Sequence, residues 1–378
     1  GANGYGVIFE WDPATNMYTV KHHFTAATGY GPMAPLLLVN DVFYGTATYA
    51  GANSAGTIFS WNPTTNTYTA LHHFDVANGM NPYSGLMEYN GTLYGTTRIG
   101  GANDAGVIYA YLPSLSIFVK KIDFNIADGR KGYGSVVVDG NVMYGMTYEG
   151  GNVNKGVLFE WDPISQVYTI KQHFNANTGY NPQGKLVKNG SMFYGMTYKG
   201  GTNNMGTLFE WNPATNIFTK KIDFSTSTGG NPFGSLIVYS GKLYGLTSTG
   251  GANSSGTIIE YDPSTGVLTK RRDLANATGE MPRGDLTLYN NKMYGMCITG
   301  GATNAGVIFE FDPNTNAYTK KVDLSEAEGE TPMGNLALYN GKFYGHTRTG
   351  GSSDYGVIFE WDPATNIYTR KINFNNTN

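Results

Sequence analysis

One period of 50 residues runs through the whole chain without a slip, and it constrains the fold more than any other feature. Gly6, Gly56, Gly106, Gly156, Gly206, Gly256, Gly306 and Gly356 share one column, and Pro13, Pro63, Pro113, Pro163, Pro213, Pro263, Pro313 and Pro363 share another. A third holds Tyr44, Tyr94, Tyr144, Tyr194, Tyr244, Tyr294 and Tyr344, each followed by glycine. Units that cannot bury their own apolar faces stack into one body, so 378 residues are expected to form a single domain rather than several.

Each unit reads as two hairpins. Gly6 to Pro13 is a short apolar strand stopped by proline, Pro13 to Asn16 turns, and Met17 to Phe24 returns. That loop length sets Trp11 opposite Tyr18, an aromatic cross-strand pair worth about 0.2–1 kcal/mol over alanines. Ser84 to Asn90 meets Thr92 to Thr97 across Asn90-Gly91, a dipeptide that accepts the positive φ angles of a tight hairpin. A four-stranded sheet with two apolar faces must be covered on both, and radial packing of blades does this while leaving only short edges. The reading is all-β, a β-propeller; a linear solenoid normally has a much shorter period.

The stretch Y-S-G-K-L-Y-G-L-T-S-T-G-G-A-N-S-S-G-T-I-I-E-Y-D-P-S-T-G, Tyr239 to Gly266, resembles the GloVer tandem repeat of secreted bacterial proteins. The hallmark of that repeat is Y-G-T-T, then G-G, then G-T-V-F; the chain departs from Y-G-T-T at Met146, Met196, Leu246, Met296 and His346. A looser likeness to kelch blades rests on the double glycines such as Gly100-Gly101. The resemblance implies an extracellular or cell-surface protein and brings no catalytic residues. Blades counted from the second hairpin give seven complete ones, 33–74, 82–124, 132–174, 182–224, 232–274, 282–324 and 332–374. Residues 1–24 are the outer hairpin of an incomplete blade, so a ring of eight positions is expected, with seven blades and an accessory hairpin as the alternative. The chain opens on Gly1 in mid-repeat, as a processed or excerpted piece of a longer precursor would.

Composition narrows the partners. Formal charge is −3 with 14% charged residues and no run of either sign, which argues against nucleic acid and anionic membrane. No apolar run approaches the ~20 residues of a membrane span. Cys297 is the only cysteine, so no internal disulfide forms. No G-x-S-x-G, H-E-x-x-H, phosphate loop or calcium loop occurs, and neither cofactor nor metal is expected.

Strand direction places the double-glycine loop and the crossover between blades at one end, where the repeats differ most. A fixed scaffold carrying varied loops is how binding surfaces are commonly built. Tyr83, Arg98, Arg130, Tyr133, Tyr148, Tyr198, Arg283 and Arg348 gather there as candidates for stacking on and hydrogen-bonding a glycan or a surface protein. His346 joins them, beside Arg348 in the inner part of its blade.

The other repeated polar residues read as structural. His22, His23, His72, His73 and His173 lie on returning outer strands, where adjacent side chains face opposite ways and do not share a metal. Glu10, Glu160, Glu210, Glu260, Glu310 and Glu360 recur once per unit and are expected to pair with lysine or threonine across the hairpin. Glu149, Glu280 and Glu330 are the carboxylates of the variable end, too scattered for the paired carboxylates of a glycosidase. The expectation is a non-enzymatic binding or adhesion module; self-assembly through residues 1–24 and a polysaccharide hydrolase or lyase are the alternatives.

Overall fold

Alternating apolar residues closed by tight turns produce the same antiparallel sheet in every repeat. The structure, a computed structural model, describes all residues except 133–135, 376 and 378. The fold is an all-β propeller with seven four-stranded blades, spanning 37–73, 80–123, 137–173, 187–223, 237–273, 287–323 and 330–373. Residues Val7–Asp12 and Met17–His23 form a separate two-stranded sheet, the half blade. The only helical turns among the described residues are two short 3-10 segments, Asn276–Thr278 and Glu326–Glu328. No described helix is long and apolar enough to cross a membrane.

Contacts divide the chain into two units, Gly1–Asn175 and Ala176–Asn375. The first holds the half blade and blades 1 to 3; the second holds blades 4 to 7. Within each unit neighbouring blades bury apolar layers against one another. Ile8 and Phe24 of the half blade pack with Ala47, Phe59 and Trp61 of blade 1. In the second unit Tyr244 and Ile258 of blade 5 pack with Leu286, Met293 and Phe309 of blade 6.

The register is as the sequence predicts. Trp11 faces Tyr18, Trp61 faces Tyr68, and Trp361 faces Tyr368. The ring contacts run both on the diagonal between the two outer strands and directly across to the next strand inward. Tyr68 stacks on Phe59 with centroids 5.2 Å apart, while Trp61 stacks on Phe43 of the next strand inward at 5.5 Å. Asn90 and Gly91 both have positive φ, 49° and 74°, as the predicted hairpin turn requires. The innermost strand of blade 2 is shorter than its apolar pattern suggests, Met87–Tyr89, as are its equivalents Leu37–Val39 and Val187–Asn189, and before it the Ser84 hydroxyl bonds Thr96.

In four blades the outer strand is also tied to the crossover before it. The Tyr68 hydroxyl donates to the Thr28 carbonyl at 2.9 Å, and Tyr168, Tyr318 and Tyr368 repeat the bond to residues 128, 278 and 328. Next to this, His23, His73 and His173 accept the backbone N–H of residues 2, 52 and 152 through Nδ1. Asp123, Asp273, Asp323 and Asn373 accept the same bond in other blades, so the histidines stand in a column of acceptors.

The repeated glutamates pair across the hairpin with lysine: Glu160 with Lys171 at 3.0 Å and Glu210 with Lys221 at 2.9 Å. A second partner was not legible in the spacing. The hydroxyl of the Tyr-Gly tyrosine donates to the glutamate, from Tyr194 to Glu210 at 2.6 Å and from Tyr344 to Glu360 at 2.9 Å.

Candidate binding face

Antiparallel order puts the double-glycine loop and the crossover at the same end of every blade, and hydrogen bonds join them. The crossover residue pairs with the residue before the double glycine: Tyr30 with Tyr49, Met80 with Ile99, Arg130 with Glu149, Tyr180 with Lys199, Gly230 with Thr249, Glu280 with Thr299, and Glu330 with Thr349. Two columns that vary in sequence are therefore opposed pairs. Much of their variation is matching across a short bridge: Tyr30 and Tyr49 bring their rings to 5.6 Å, and Arg130 binds Glu149 at 2.8 Å.

The residue after each crossover pair takes the left-handed conformation, with φ from 52° to 68° at Gly31, Asn81, Lys131, Asn181, Asn231, Met281 and Thr331. Asparagine suits it for two reasons. It tolerates positive φ, and its amide reaches the preceding blade: Asn81 donates to the Thr48 carbonyl at 3.0 Å and Asn231 to the Tyr198 carbonyl at 2.9 Å.

The candidates divide by unit. In the first, Arg130 is held by Glu149, which also takes Lys131 at 2.7 Å. Tyr83, Arg98 and Tyr148 are half-buried, and Tyr133 lies outside the described residues. In the second unit, Tyr198 and Arg283 come from different blades and meet through a third side chain, Phe233, which stands in a variable column but was not singled out. The Tyr198 and Phe233 rings are edge to face at 5.7 Å, the Arg283 guanidinium lies 5.2 Å over Phe233, and Lys199 lies 5.3 Å over Tyr198. Arg283 is exposed, and the two rings are half-buried. His346 and Arg348 are exposed on strand Lys342–Thr349, where His346 faces Met333. Reading each column separately hid Phe233; only the fold shows that its neighbours come from adjacent blades.

Two carboxylates of this end are engaged by neighbouring side chains. Glu280 accepts from the Ser255 hydroxyl at 2.7 Å, and Glu149 is neutralised as described. Among the described residues no group of three or more histidines, cysteines or carboxylates is placed to hold a metal.

The model of the Gloeobacter/Verrucomicrobia repeat matches residues 1–191, 138–297 and 240–378, which together span the sequence. The chain belongs to the Gloeobacter/Verrucomicrobia repeat family. No curated protein matches it. Among solved structures this family member is similar to puromycin hydrolase, with TM-score 0.56 and 12% identity over 92% of this chain and 54% of that one. It is also similar to a putative 6-phosphogluconolactonase from Bacteroides uniformis, with TM-score 0.51 and 15% identity over 88% and 95%. A study of two prolyl endopeptidases supplies a third, with TM-score 0.54 and 10% identity over 89% and 49%. This repeat protein spans about half the length of the puromycin hydrolase chain, and identities this low carry the fold alone.

Proposed function

We propose that this chain is a secreted or cell-surface binding module, not an enzyme, which presents the crossover end of its blades to a glycan. The observation that carries the reading is the file Lys199, Tyr198, Phe233, Arg283, two rings flanked by two cations on loops that differ from blade to blade. Aromatic faces stack on the apolar faces of sugar rings, and the cations supply donors to hydroxyl and carboxylate oxygens. An acidic polysaccharide uses both features; a neutral one uses only the rings. Sequence supports the location, since the family resemblance is to secreted proteins.

The test is binding of the intact chain to an array of plant, algal and microbial polysaccharides, with Phe233→Ala and Arg283→Ala beside the wild type. Phe233→Ala is expected to weaken binding about tenfold or more, as loss of an aromatic anchor does. Arg283→Ala is expected to weaken only binding to acidic glycans. Silence of the wild type over the whole array removes the glycan reading and leaves a surface protein as the ligand to be sought.

A further inference from the structure

One ionic unit recurs from blade to blade, and blade 2 keeps its donors without its acid. In blades 3 to 7 the cation at the bulge of the outer strand holds the glutamate of the strand before it, as Lys171 holds Glu160 at 3.0 Å, Lys221 holds Glu210 at 2.9 Å and Lys371 holds Glu360 at 3.3 Å. Arg271 and Lys321 do the same in blades 5 and 6. The Tyr-Gly tyrosine donates to that carboxylate in blades 4 to 7. Blade 2 has the lysine and the tyrosine, Lys121 and Tyr94, but Ala110 stands in the place of the glutamate. Blade 1 lacks acid and cation together, with Ser60 and Leu71 in those places.

The backbone of blade 2 is otherwise that of its neighbours. Ala110 faces Tyr94 on one side and Val119 on the other, and the outer strand bulges at Lys121 as the equivalent strands do. Lys120 is taken by Asp123 and the Ala77 carbonyl, whereas Lys121 is half-buried and makes no ion pair or hydrogen bond among the described residues. A half-buried ammonium without a counter-charge is unfavourable, so an anion that reaches it is stabilised there. The equivalent Glu160 and Glu210 side chains are 24% and 16% exposed, which opens the place of the carboxylate to solvent. A cleft between blades 2 and 3 runs along the same face of the sheet, lined in part by Tyr94, Ile108, Met143 and Trp161. The Trp161 indole N–H is buried and has no acceptor, whereas Trp61 and Trp361 donate to Asn66 and Asn366; Gln166 holds that column in blade 3.

We infer that blade 2 binds a small carboxylate ion, of the size of formate or acetate, in the place that the glutamate head takes in blades 3 to 7. Lys121 is its counter-ion and the Tyr94 hydroxyl its second donor, the same two groups that hold Glu210 through Lys221 and Tyr194. Charge and size both follow from the neighbours. Thr92 stands beside the Tyr94 hydroxyl where Lys242, Lys292 and Lys342 bring a second cation to the glutamate, so one positive charge remains and the ligand is a monoanion. The Ala110 methyl already takes the place of the first glutamate carbon, which leaves length for a carboxylate on at most a short stem. The site lies toward the hairpin turns of blade 2, apart from the crossover end, and does not depend on the glycan reading.

The probes are sodium formate and sodium acetate, each against sodium chloride at equal ionic strength. The readout is the rate at which an amine-reactive ester labels each lysine of the intact chain, resolved by peptide mass spectrometry. Labelling of Lys121 is expected to slow saturably, about fivefold at about 100 mM of either carboxylate, with no slowing at the exposed Lys185. In Ala110→Glu the internal carboxylate should hold Lys121 at the slow rate of Lys171 and leave it indifferent to acetate. A second variant, Lys121→Gln, keeps Ala110 and is read by melting. Acetate should raise the wild-type midpoint above that in chloride and leave the Lys121→Gln midpoint unmoved. Equal labelling of Lys121 in acetate and chloride overturns the inference. So does an acetate response that survives in Ala110→Glu or in Lys121→Gln, because the anion then binds elsewhere.

Discussion

Single residues show where a surface-like sequence hides a buried electrostatic unit. Glu260 is buried, and its carboxylate takes Lys242 at 2.7 Å, the Tyr244 hydroxyl at 2.6 Å, and Arg271. Burial alone would raise its pKa, but these three partners outweigh burial and hold the carboxyl below its ordinary value. Glu260→Gln takes the carboxylate from Arg271 and leaves Lys242 with Asp262 alone at 3.7 Å, and is expected to cost about 2 kcal/mol at neutral pH, read from urea unfolding. Because the folded pKa is the lower one, this stability is complete above the ordinary value of 4.5 and is lost as pH falls through the depressed value. The gap between wild type and variant should therefore close in acid. His72 titrates in a different window. It lies flat on Phe118 with centroids 3.6 Å apart, and burial holds its imidazole at about 4, with Asp75 opposing and His73 reinforcing the shift. A neutral histidine buried in this way contributes stability above pH 6.5 that is lost as pH falls toward 4. His72→Phe keeps the stack and removes the titration. Its stability from urea unfolding should track the wild type above pH 6.5 and exceed it increasingly between pH 6 and 4.5, by up to about 2 kcal/mol.

At the scale of elements, the crossovers are the least legible part of the sequence and the strands the most. Strand order, facing residues and hairpin turns follow from proline, glycine and apolar spacing, all within about 20 residues of one another. The crossover bridge joins residues such as Tyr30 and Tyr49, and its meaning lies in the pair, so a column read alone looks merely variable. The Tyr-Gly tyrosines make the same point: burial of the ring is visible in a pattern, but a hydroxyl bond to Glu210 depends on sheet geometry. The left-handed residue in each crossover offers a test. Thr331 has φ 54°, a conformation that costs a β-branched residue most, while Asn81 and Asn231 occupy the equivalent positions and bond the preceding blade. Thr331→Asn should stabilise the chain by about 1 kcal/mol, by relief of backbone strain and by a new bond to the carbonyl of residue 298. Thermal and urea midpoints should both rise, and a fall would show that the weak Thr349–Thr331 hydroxyl contact at 3.3 Å matters more than the strain.

The repeat governs the molecule through what passes from one blade to the next. In the second unit the innermost residues form a relay: the Lys185 N–H donates to the Ser235 hydroxyl at 3.1 Å, the Ser235 N–H to Asp285 at 2.6 Å, and the Asp285 N–H to Asn335 at 2.6 Å. Glycine before each of these residues lets the neighbouring backbone approach, and a Cβ at Gly234 would sit 2.5 Å from the Gly284 carbonyl oxygen. Such an inner belt couples neighbouring blades, as nearest-neighbour terms do in other repeat proteins. Gly284→Ala places its methyl group against the Gly334 carbonyl and must part blade 6 from blade 7 at the belt, breaking the Asp285 to Asn335 bond. The expected loss is about 2–3 kcal/mol, the range of overpacking against backbone that cannot repack. Its distribution is the sharper outcome. Amide exchange should accelerate together in strands Thr287–Tyr289 and Glu330–Tyr339, on the two sides of the substitution, while blade 4 keeps its protection. Acceleration confined to blade 6 would mean that each blade opens alone and that the belt is a consequence of packing; acceleration throughout the second unit would mean that its four blades open as one.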